Sequence, residues 1–119
     1  DALQGNLLSQ LDEEGFTSSN LSQLSKKTGN SKDKLMRLLN VAEEQGKLLR
    51  INGNLMFTQN NFLKLQKKVA QHFTNHSEMS VSEFKELADT SRKYAVPLLE
   101  YFDKKKITYR EGNSRKLVK

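Results

Sequence analysis

The stretch TSRKYAVPLLEYFDKKKITYREGNSRK (residues 90–116) decides the fold. Its first part, from Ser91 to Lys106, has apolar residues at helical spacing, and its second part has two short strand patterns around Gly112. Ser91 is the predicted N-cap, because its hydroxyl can accept a hydrogen bond from a backbone N–H one turn into the helix. A helix followed by a two-stranded hairpin is typical of the last helix and wing of a winged-helix domain.

Two cations, Arg92 and Lys93, follow the predicted cap. The helix macrodipole favours acids at this end, so cations here indicate an outside partner that carries negative charge. In helix-turn-helix and winged-helix folds, the first residues of the second helix contact nucleic acid. Pro97 lies about six positions into the helix and removes a backbone donor, so we expect a kink or distorted first turns.

The segments that precede this stretch complete the same domain. An apolar seam over residues 62–73 predicts a helix, and a second helix follows around Phe84. Ser80 or Ser82 is the predicted cap of that second helix. Glu83 completes a capping box if the cap is Ser80.

The first half of the chain begins with the same kinds of element. Leucines spaced four residues apart predict a helix over residues 1–14. A second, shorter helix is capped by Ser18 or Ser19, and a third is capped by Ser31. Gly46 ends the third helix, as a left-handed residue would.

A hairpin closes the first half. Residues 47–52 and 55–58 predict two strands. The turn between them, Asn52-Gly53-Asn54, supports the positive φ values of a type I′ turn. The order of three helices and a two-stranded hairpin is that of a winged helix.

The two halves repeat each other. With an offset of 60 residues, the predicted cap Ser31 falls on the predicted cap Ser91. The other caps and the apolar positions also agree, whereas the surface residues differ. This pattern indicates a duplicated fold whose copies have different surfaces. The sequence therefore predicts an α+β, mainly α fold of two tandem winged-helix domains, residues 1–59 and 60–119.

Composition limits the classes of function. None of the 119 residues is cysteine, which excludes disulfide scaffolds, thiolate metal sites and cysteine nucleophiles. No apolar run reaches the roughly 18–20 residues that cross a bilayer, and no signal-peptide core is present, so we expect no membrane partner. Residues 60–119 hold 13 of the 20 cations and seven of the 14 acids, so the net charge of +6 lies in this half and indicates a polyanionic partner.

The basic residues of the second half are the candidate contacts with that partner. A winged helix brings its third helix and its wing to the same side, so cations on both could form one surface. The first copy has Lys32 and Asp33 where the second has Arg92 and Lys93, so the basic character belongs to one copy only. The set consists of Arg92, Lys93, Arg110, Arg115 and Lys116.

Other candidate residues are interpreted structurally. Tyr94 and Tyr109 could stack on bases, but packing is the favoured interpretation.

His72 and His76 have the i, i+4 spacing of metal ligands on a helix, yet no third ligand is convincing, because Glu78 lies past the helix end. No nucleotide-binding loop and no nucleophile with a helpful base is present, so we expect neither a metal site nor catalysis.

The second half resembles one known family. Its helix begins Ser91-Arg92-Lys93-Tyr94-Ala95 and continues with Leu98-Leu99-Glu100-Tyr101-Phe102-Asp103, and its hairpin contains Ile107-Thr108-Tyr109-Arg110 and Gly112-Asn113. Together these motifs are similar to the C-terminal winged helix of the bacterial selenocysteine-specific elongation factors, the SelB family. The close likeness covers about residues 84–117. The first half resembles the preceding winged helix of that family only in layout.

The resemblance implies a function in translation. In that family an arm of winged helices is attached to a GTPase that carries selenocysteinyl-tRNA, and the last one grips the mRNA hairpin, the SECIS element, that recodes UGA as selenocysteine. The chain is then expected to be a non-enzymatic, monomeric piece of a cytoplasmic factor, without the GTPase or a cofactor, that meets the ribosome and the tRNA only through the full-length protein. The implied RNA contacts are Ser91, Arg92 and Lys93 first, then Arg110, Asn113, Arg115 and Lys116.

Two other functions stay open at this point. Winged helices usually read duplex DNA, so a DNA-binding regulator is one alternative, although such a regulator usually needs a dimer to span two half-sites. A protein-interaction scaffold is the other, and the neutral first half fits it.

Overall fold

The computed structural model describes residues 2–17, 19–52 and 55–118, the side chain of Asn52 excepted. Within them the chain forms six helices and five strands. In chain order these are α1 (Ala2–Glu14), α2 (Leu21–Thr28), α3 (Lys32–Glu44), β1 (Leu48–Asn52), β2 (Leu55–Thr58), α4 (Gln59–Asn75), β3 (Met79–Ser80), α5 (Val81–Ala88), α6 (Arg92–Lys104), β4 (Thr108–Glu111) and β5 (Ser114–Leu117). The predicted α+β, mainly helical fold class is confirmed.

The chain divides into two compact units, Asp1–Phe62 and Leu63–Lys119. The helix α4 begins in the first and continues in the second. The domain limits proposed from the sequence, 1–59 and 60–119, stay a prediction. Over the described ranges, no helix is both long and apolar enough to cross a membrane.

The core of the first unit is made mainly of leucines from all three of its leading helices. Within each helix the apolar residues recur at three- or four-residue spacing, which places them on one face. Burial of one such side chain contributes about 1.5–3 kcal/mol, so this layer supplies much of the free energy of folding of the unit. The leucines that are at most 1% exposed are Leu7, Leu11, Leu24, Leu35, Leu39 and Leu48.

The cap of α2 differs from the prediction. Asn20 is the N-cap, and it forms a full capping box with Gln23, whose backbone N–H donates to Asn20 Oδ1 at 2.9 Å. Ser19 is not the cap, because its N–H and hydroxyl both donate to the Glu14 carboxylate, at 2.8 and 2.7 Å. The other candidate, Ser18, lies outside the described residues.

The remaining predictions for the first unit concern α3 and the hairpin. Ser31 caps α3, as predicted, by accepting from the Lys34 backbone N–H at 3.2 Å. Strands β1 and β2 pair antiparallel, with Arg50 opposite Met56 and a bulge before Asn52. The predicted type I′ turn falls largely on residues 53–54, which lie outside the described ranges.

The second unit has a similar order of elements and one more strand. Phe84 of α5 and Phe102 of α6 are fully buried and meet edge to face, with ring centroids 5.3 Å apart. The short segment β3 pairs antiparallel with β5, so the sheet has the order β3-β5-β4. At the junction of β3 and α5, Ser80 caps the helix and forms the predicted capping box with Glu83. The wing is therefore attached to the start of α5 as well as to α6.

The ends of α3 and α6 show the repeat at the level of the backbone. Gly46 is left-handed, with φ 75°, and its N–H donates to the Glu43 carbonyl at 3.0 Å. Sixty residues on, Lys106 has φ 61°, and its N–H donates to the Asp103 carbonyl, also at 3.0 Å. The second copy thus keeps a left-handed residue at the end of the helix. It uses lysine there, although glycine adopts this conformation at the lowest steric cost.

The start of α6 differs from the prediction in one respect. Ser91 occupies the N-cap position, but its side chain makes no capping hydrogen bond. The first turn is instead closed through the Ser91 carbonyl, which accepts from the backbone N–H groups of Tyr94 and Ala95 at 3.1 and 2.9 Å. The helix continues through Pro97 to Lys104. Because proline has no N–H, the carbonyl of Lys93 lacks its usual helical donor.

Candidate nucleic-acid interface

An open cleft of about 820 Å³ lies in the second unit between α6, the wing and the start of α5. It brings together Arg92, Arg110, Asn113 and Arg115, four of the seven residues implied as RNA contacts. Ser91, Lys93 and Lys116 do not line it. The complete lining is Ser80, Val81, Ser82, Arg92, Val96, Glu100, Asp103, Lys104, Arg110, Asn113 and Arg115.

Arg92 stands at the helix end of the cleft. It is the first residue of α6 and is exposed. In the part of the chain that the structure describes, no carboxylate forms an ion pair with it. Its neighbour Lys93 is also exposed but places its ammonium 5.5 Å from the centroid of the Tyr94 ring. Arg92 is therefore the cation of the helix start whose charge faces the cleft.

The turn of the wing supplies the opposite wall. Arg110 is exposed, and its Nε donates to the backbone carbonyl of Gly112 at 3.2 Å. Gly112 has φ 63°, the left-handed conformation that the turn between β4 and β5 requires. Asn113, beside it, is also exposed. The hydrogen bond fixes the side chain of Arg110 at the turn, where the residue is exposed to solvent.

Arg115 has a different environment from the other cations. Its side chain is 8% exposed, and its Nε donates to Asp103 of α6, at 2.9 Å to Oδ2 and 3.2 Å to Oδ1. The same carboxylate accepts from the Thr108 hydroxyl at 2.6 Å. Arg115 thus connects the wing with α6 at the floor of the cleft.

The basic residues of the wing do not form one surface. Arg110 pairs across the ladder with Arg115, whereas Tyr109 pairs with Lys116. Since successive side chains of a strand point to opposite faces, these two pairs lie on opposite faces of the wing. Lys116 lines a different cavity, and its pKa is raised, chiefly because it donates a hydrogen bond to the Glu111 carboxylate. The expectation of one surface therefore holds for Arg110 and Arg115 and is wrong for Lys116.

The first unit uses the equivalent arginine internally. Arg50 occupies the position of Arg110, and its guanidinium lies on α3, where it donates to Asn40 Oδ1 at 3.0 Å and contacts Met36 Sδ at 3.7 Å. Its Nε is 3.9 Å from a Glu43 oxygen. The first copy therefore offers no arginine of the Arg110 kind to a ligand.

Two acids of the cleft were missed in the sequence interpretation. Glu100 is exposed on its wall, and Asp103 is the partner of Arg115. The signal was present, because Arg92, Val96 and Glu100 recur at four-residue spacing and so share one face of α6. A surface with acids among its cations binds more selectively than a uniformly basic one, since it repels misplaced phosphates.

Comparison with known proteins identifies a family for the second unit. Residues 71–117 match the family described as "Elongation factor SelB, winged helix". These residues belong to the SelB winged-helix family. A selenocysteine-specific elongation factor of Desulfomicrobium baculatum is 30% identical to it over 109 residues, which make up 92% of this chain and 15% of that protein. The resemblance drawn from the motifs of the second half is confirmed, and this SelB winged-helix chain is not an enzyme.

Two solved structures of elongation factors share the fold. The mRNA-binding domain of elongation factor SelB from E. coli, in complex with SECIS RNA, superposes with a TM-score of 0.79 at 21% identity, over 98% of this chain and 97% of that one. A bacterial selenocysteine-specific elongation factor superposes with a TM-score of 0.58 at 22% identity, over 93% of this chain and 19% of the larger one. At these identities the likeness establishes the winged-helix architecture.

Proposed function

We propose that this chain binds the SECIS hairpin of an mRNA through its second winged helix. The observation that carries the proposal is the cleft at which Arg92 and Arg110 are exposed from two different elements of one unit. The family match to residues 71–117 supports the choice of this unit, and the SECIS RNA bound by the E. coli neighbour supports the kind of ligand. In the full-length factor, this contact would tether the GTPase and its selenocysteinyl-tRNA at a UGA codon on the ribosome, in the cytoplasm.

The chemistry of the cleft suits a folded RNA better than a DNA duplex. A-form RNA has a major groove too narrow for a helix, so proteins contact its phosphates and the unpaired bases of loops and bulges. Arginine suits both targets, because its guanidinium can bridge two phosphate oxygens and can stack on a base. The first-turn N–H groups of α6, which the Ser91 side chain leaves uncapped, add donors beside Arg92. We assign Arg92, Arg110 and Asn113 to direct contacts with the RNA. Ser91 and Lys93 are assigned to contacts with the adjoining RNA backbone, and Arg115 holds the wing in place.

A binding titration tests the proposal. The chain is titrated with a labelled SECIS hairpin and with a DNA duplex of equal length, each at two salt concentrations. We expect a clear preference for the hairpin, with an affinity that falls as salt rises because phosphate contacts release counterions. Equal, weak binding to both nucleic acids would indicate a nonspecific basic surface, preference for the duplex would indicate a DNA-binding regulator, and no binding would favour a protein scaffold.

A further inference from the structure

Three ligand-type side chains meet where the end of α4 passes the start of α5. His72 and His76 come from α4 and Glu83 from α5, and one ligand atom from each lies within 4.8 Å of the other two. The two imidazole rings are 4.4 Å apart between centroids, and His72 Nε2 is 3.9 Å from Glu83 Oε2. We propose that His72, His76 and Glu83 bind a divalent transition-metal ion of the zinc type.

The sequence shows only two of these ligands together. Histidines at i and i+4 lie one above the other on a helix, but Glu83 is seven residues beyond His76 and on another element. The fold supplies the third ligand, because β3 returns the chain so that the first turn of α5 lies against α4. No third ligand was expected from the sequence, and Glu83 is the candidate that the geometry supplies.

The carboxylate of Glu83 is already held in a binding orientation. Its Oε1 accepts from the Ser80 backbone N–H at 2.8 Å in the capping box, while Oε2 is the oxygen nearest His72. One oxygen thus fixes the side chain, and the other remains for an ion.

The ring of His72 is oriented in the way that metal-binding histidines usually are. Its side chain is 9% exposed, and its Nε2 lies 2.8 Å from the backbone carbonyl oxygen of Glu78. Such hydrogen bonds to the second nitrogen fix the ring and its tautomer in metal sites. Because a carbonyl oxygen can only accept, Nε2 carries the proton while this hydrogen bond is made, and Nδ1 is the ring nitrogen left for the ion.

The set of donors selects the class of ion. Two imidazoles and one carboxylate favour Zn²⁺, Co²⁺, Ni²⁺ and Cu²⁺ over Mg²⁺ and Ca²⁺, which prefer oxygen alone. Donors at about 2.0–2.1 Å from a tetrahedral Zn²⁺ lie roughly 3.3 Å from one another, so the ligands must close in by up to about 1.5 Å. His76 is exposed and the Glu83 side chain is 45% exposed, so both can move that far. A water molecule would complete four-coordination.

Metal titrations of this chain and its variants test the site. ZnCl₂ is added in a calorimeter at neutral pH, and CoCl₂ is added in a spectrophotometer, where a tetrahedral site gives strong visible bands. We expect saturable binding of one ion per chain and a rise of Tm with ZnCl₂. His76→Gln should abolish binding. Glu83→Gln should weaken it at least tenfold while keeping the capping box, because glutamine serves equally at that position.

The control is Glu86→Gln, which changes an acid of the same helix outside the three ligands and should leave zinc affinity unchanged. Circular dichroism of each variant establishes that it is folded. If the unsubstituted chain showed no saturable binding, there would be no site. If Glu83→Gln bound Zn²⁺ as tightly as the original chain, the ion would be held by the histidine pair alone and the three-ligand site would be wrong.

Discussion

The guanidinium Nε of Arg115 lies 2.9 Å from Oδ2 of Asp103, which joins the second wing strand to α6 across the floor of the basic cleft. The arginine is almost fully buried, whereas a quarter of the Asp103 side chain is exposed. Replacing Asp103 leaves a buried charge without its partner. The pair therefore ties β5, the strand whose Arg115 lies opposite Arg110, to α6.

Asp103→Ala should destabilise the chain by about 3 kcal/mol, the lower end of the range for breaking a buried ion pair, because Asp103 is partly exposed. Denaturation by urea measures this change. Glu111→Gln, which removes the partner of Lys116 on the other face of the wing, is the control and should change the midpoint little, since that pair is exposed. A similar loss in both variants would show that Arg115 is no better anchored than Lys116.

Arg92→Ala should weaken binding of a SECIS hairpin by about 1–3 kcal/mol and reduce discrimination between loop variants. The matched control is Lys32→Ala, which changes the residue 60 positions earlier at the start of α3. Fluorescence anisotropy with labelled hairpins gives both affinities. The assignment of Arg92 would be wrong if its variant bound the hairpin as tightly as the unsubstituted chain.

Lys106→Gly should stabilise the second unit by up to about 1 kcal/mol. A left-handed residue with a Cβ costs roughly 1–2 kcal/mol, and the gain is offset in part by the extra freedom of glycine in the unfolded chain. Gly46→Ala, at the equivalent position, should have the opposite effect, although no atom lies within 4 Å of the added Cβ. Thermal unfolding measures both variants, and a change of the same sign in the two would contradict the shared backbone role.

The stability of the first unit should fall in acid because of Glu14. Burial raises the pKa of this carboxyl, but hydrogen bonds from Ser19 and Lys27 outweigh it and lower the pKa below its ordinary 4.5. A carboxyl with a depressed pKa in the folded state stabilises the fold above about pH 4.5, and this contribution is lost as pH falls through the folded-state value.

Glu14→Gln should therefore flatten the acid dependence of the first unit and leave that of the second unit unchanged. Methyl NMR signals of Leu7 and Leu11 report on the first unit, and those of Leu98 and Leu99 report on the second, in urea titrations between pH 6 and pH 3. Parallel curves for Glu14→Gln and the unsubstituted chain would mean that other acids dominate.

Much of the fold was predictable because it depends on local patterns. The leucine spacing places α1 and α3, the Ser31 and Ser80 caps start their helices, and the repeat makes each half support the other. Asn20 was missed as the cap of α2 because Glu14, six positions earlier, takes the donors of Ser19. That contact depends on packing and has no local signature.

The candidate site was predictable as a set of residues but not as a surface. Arg92 and Arg110 follow from position in a winged helix. The burial of Arg115 depends on Asp103, and the separation of Lys116 depends on the register of β4 against β5. The meeting of Glu83 with two histidines likewise depends on how β3 returns the chain, which neither composition nor spacing reveals.

The short strand β3 has a consequence for recognition. In the ranges that the structure describes, the first unit has a two-stranded ribbon, whereas β3 makes β5 the central strand of three in the second. An isolated pair of strands is only marginally stable and bends easily, and a third strand stiffens it. Binding of a ligand to the second wing therefore costs little conformational entropy for ordering the wing, which favours affinity. Two residues, Met79 and Ser80, thus supply the strand that supports the second wing.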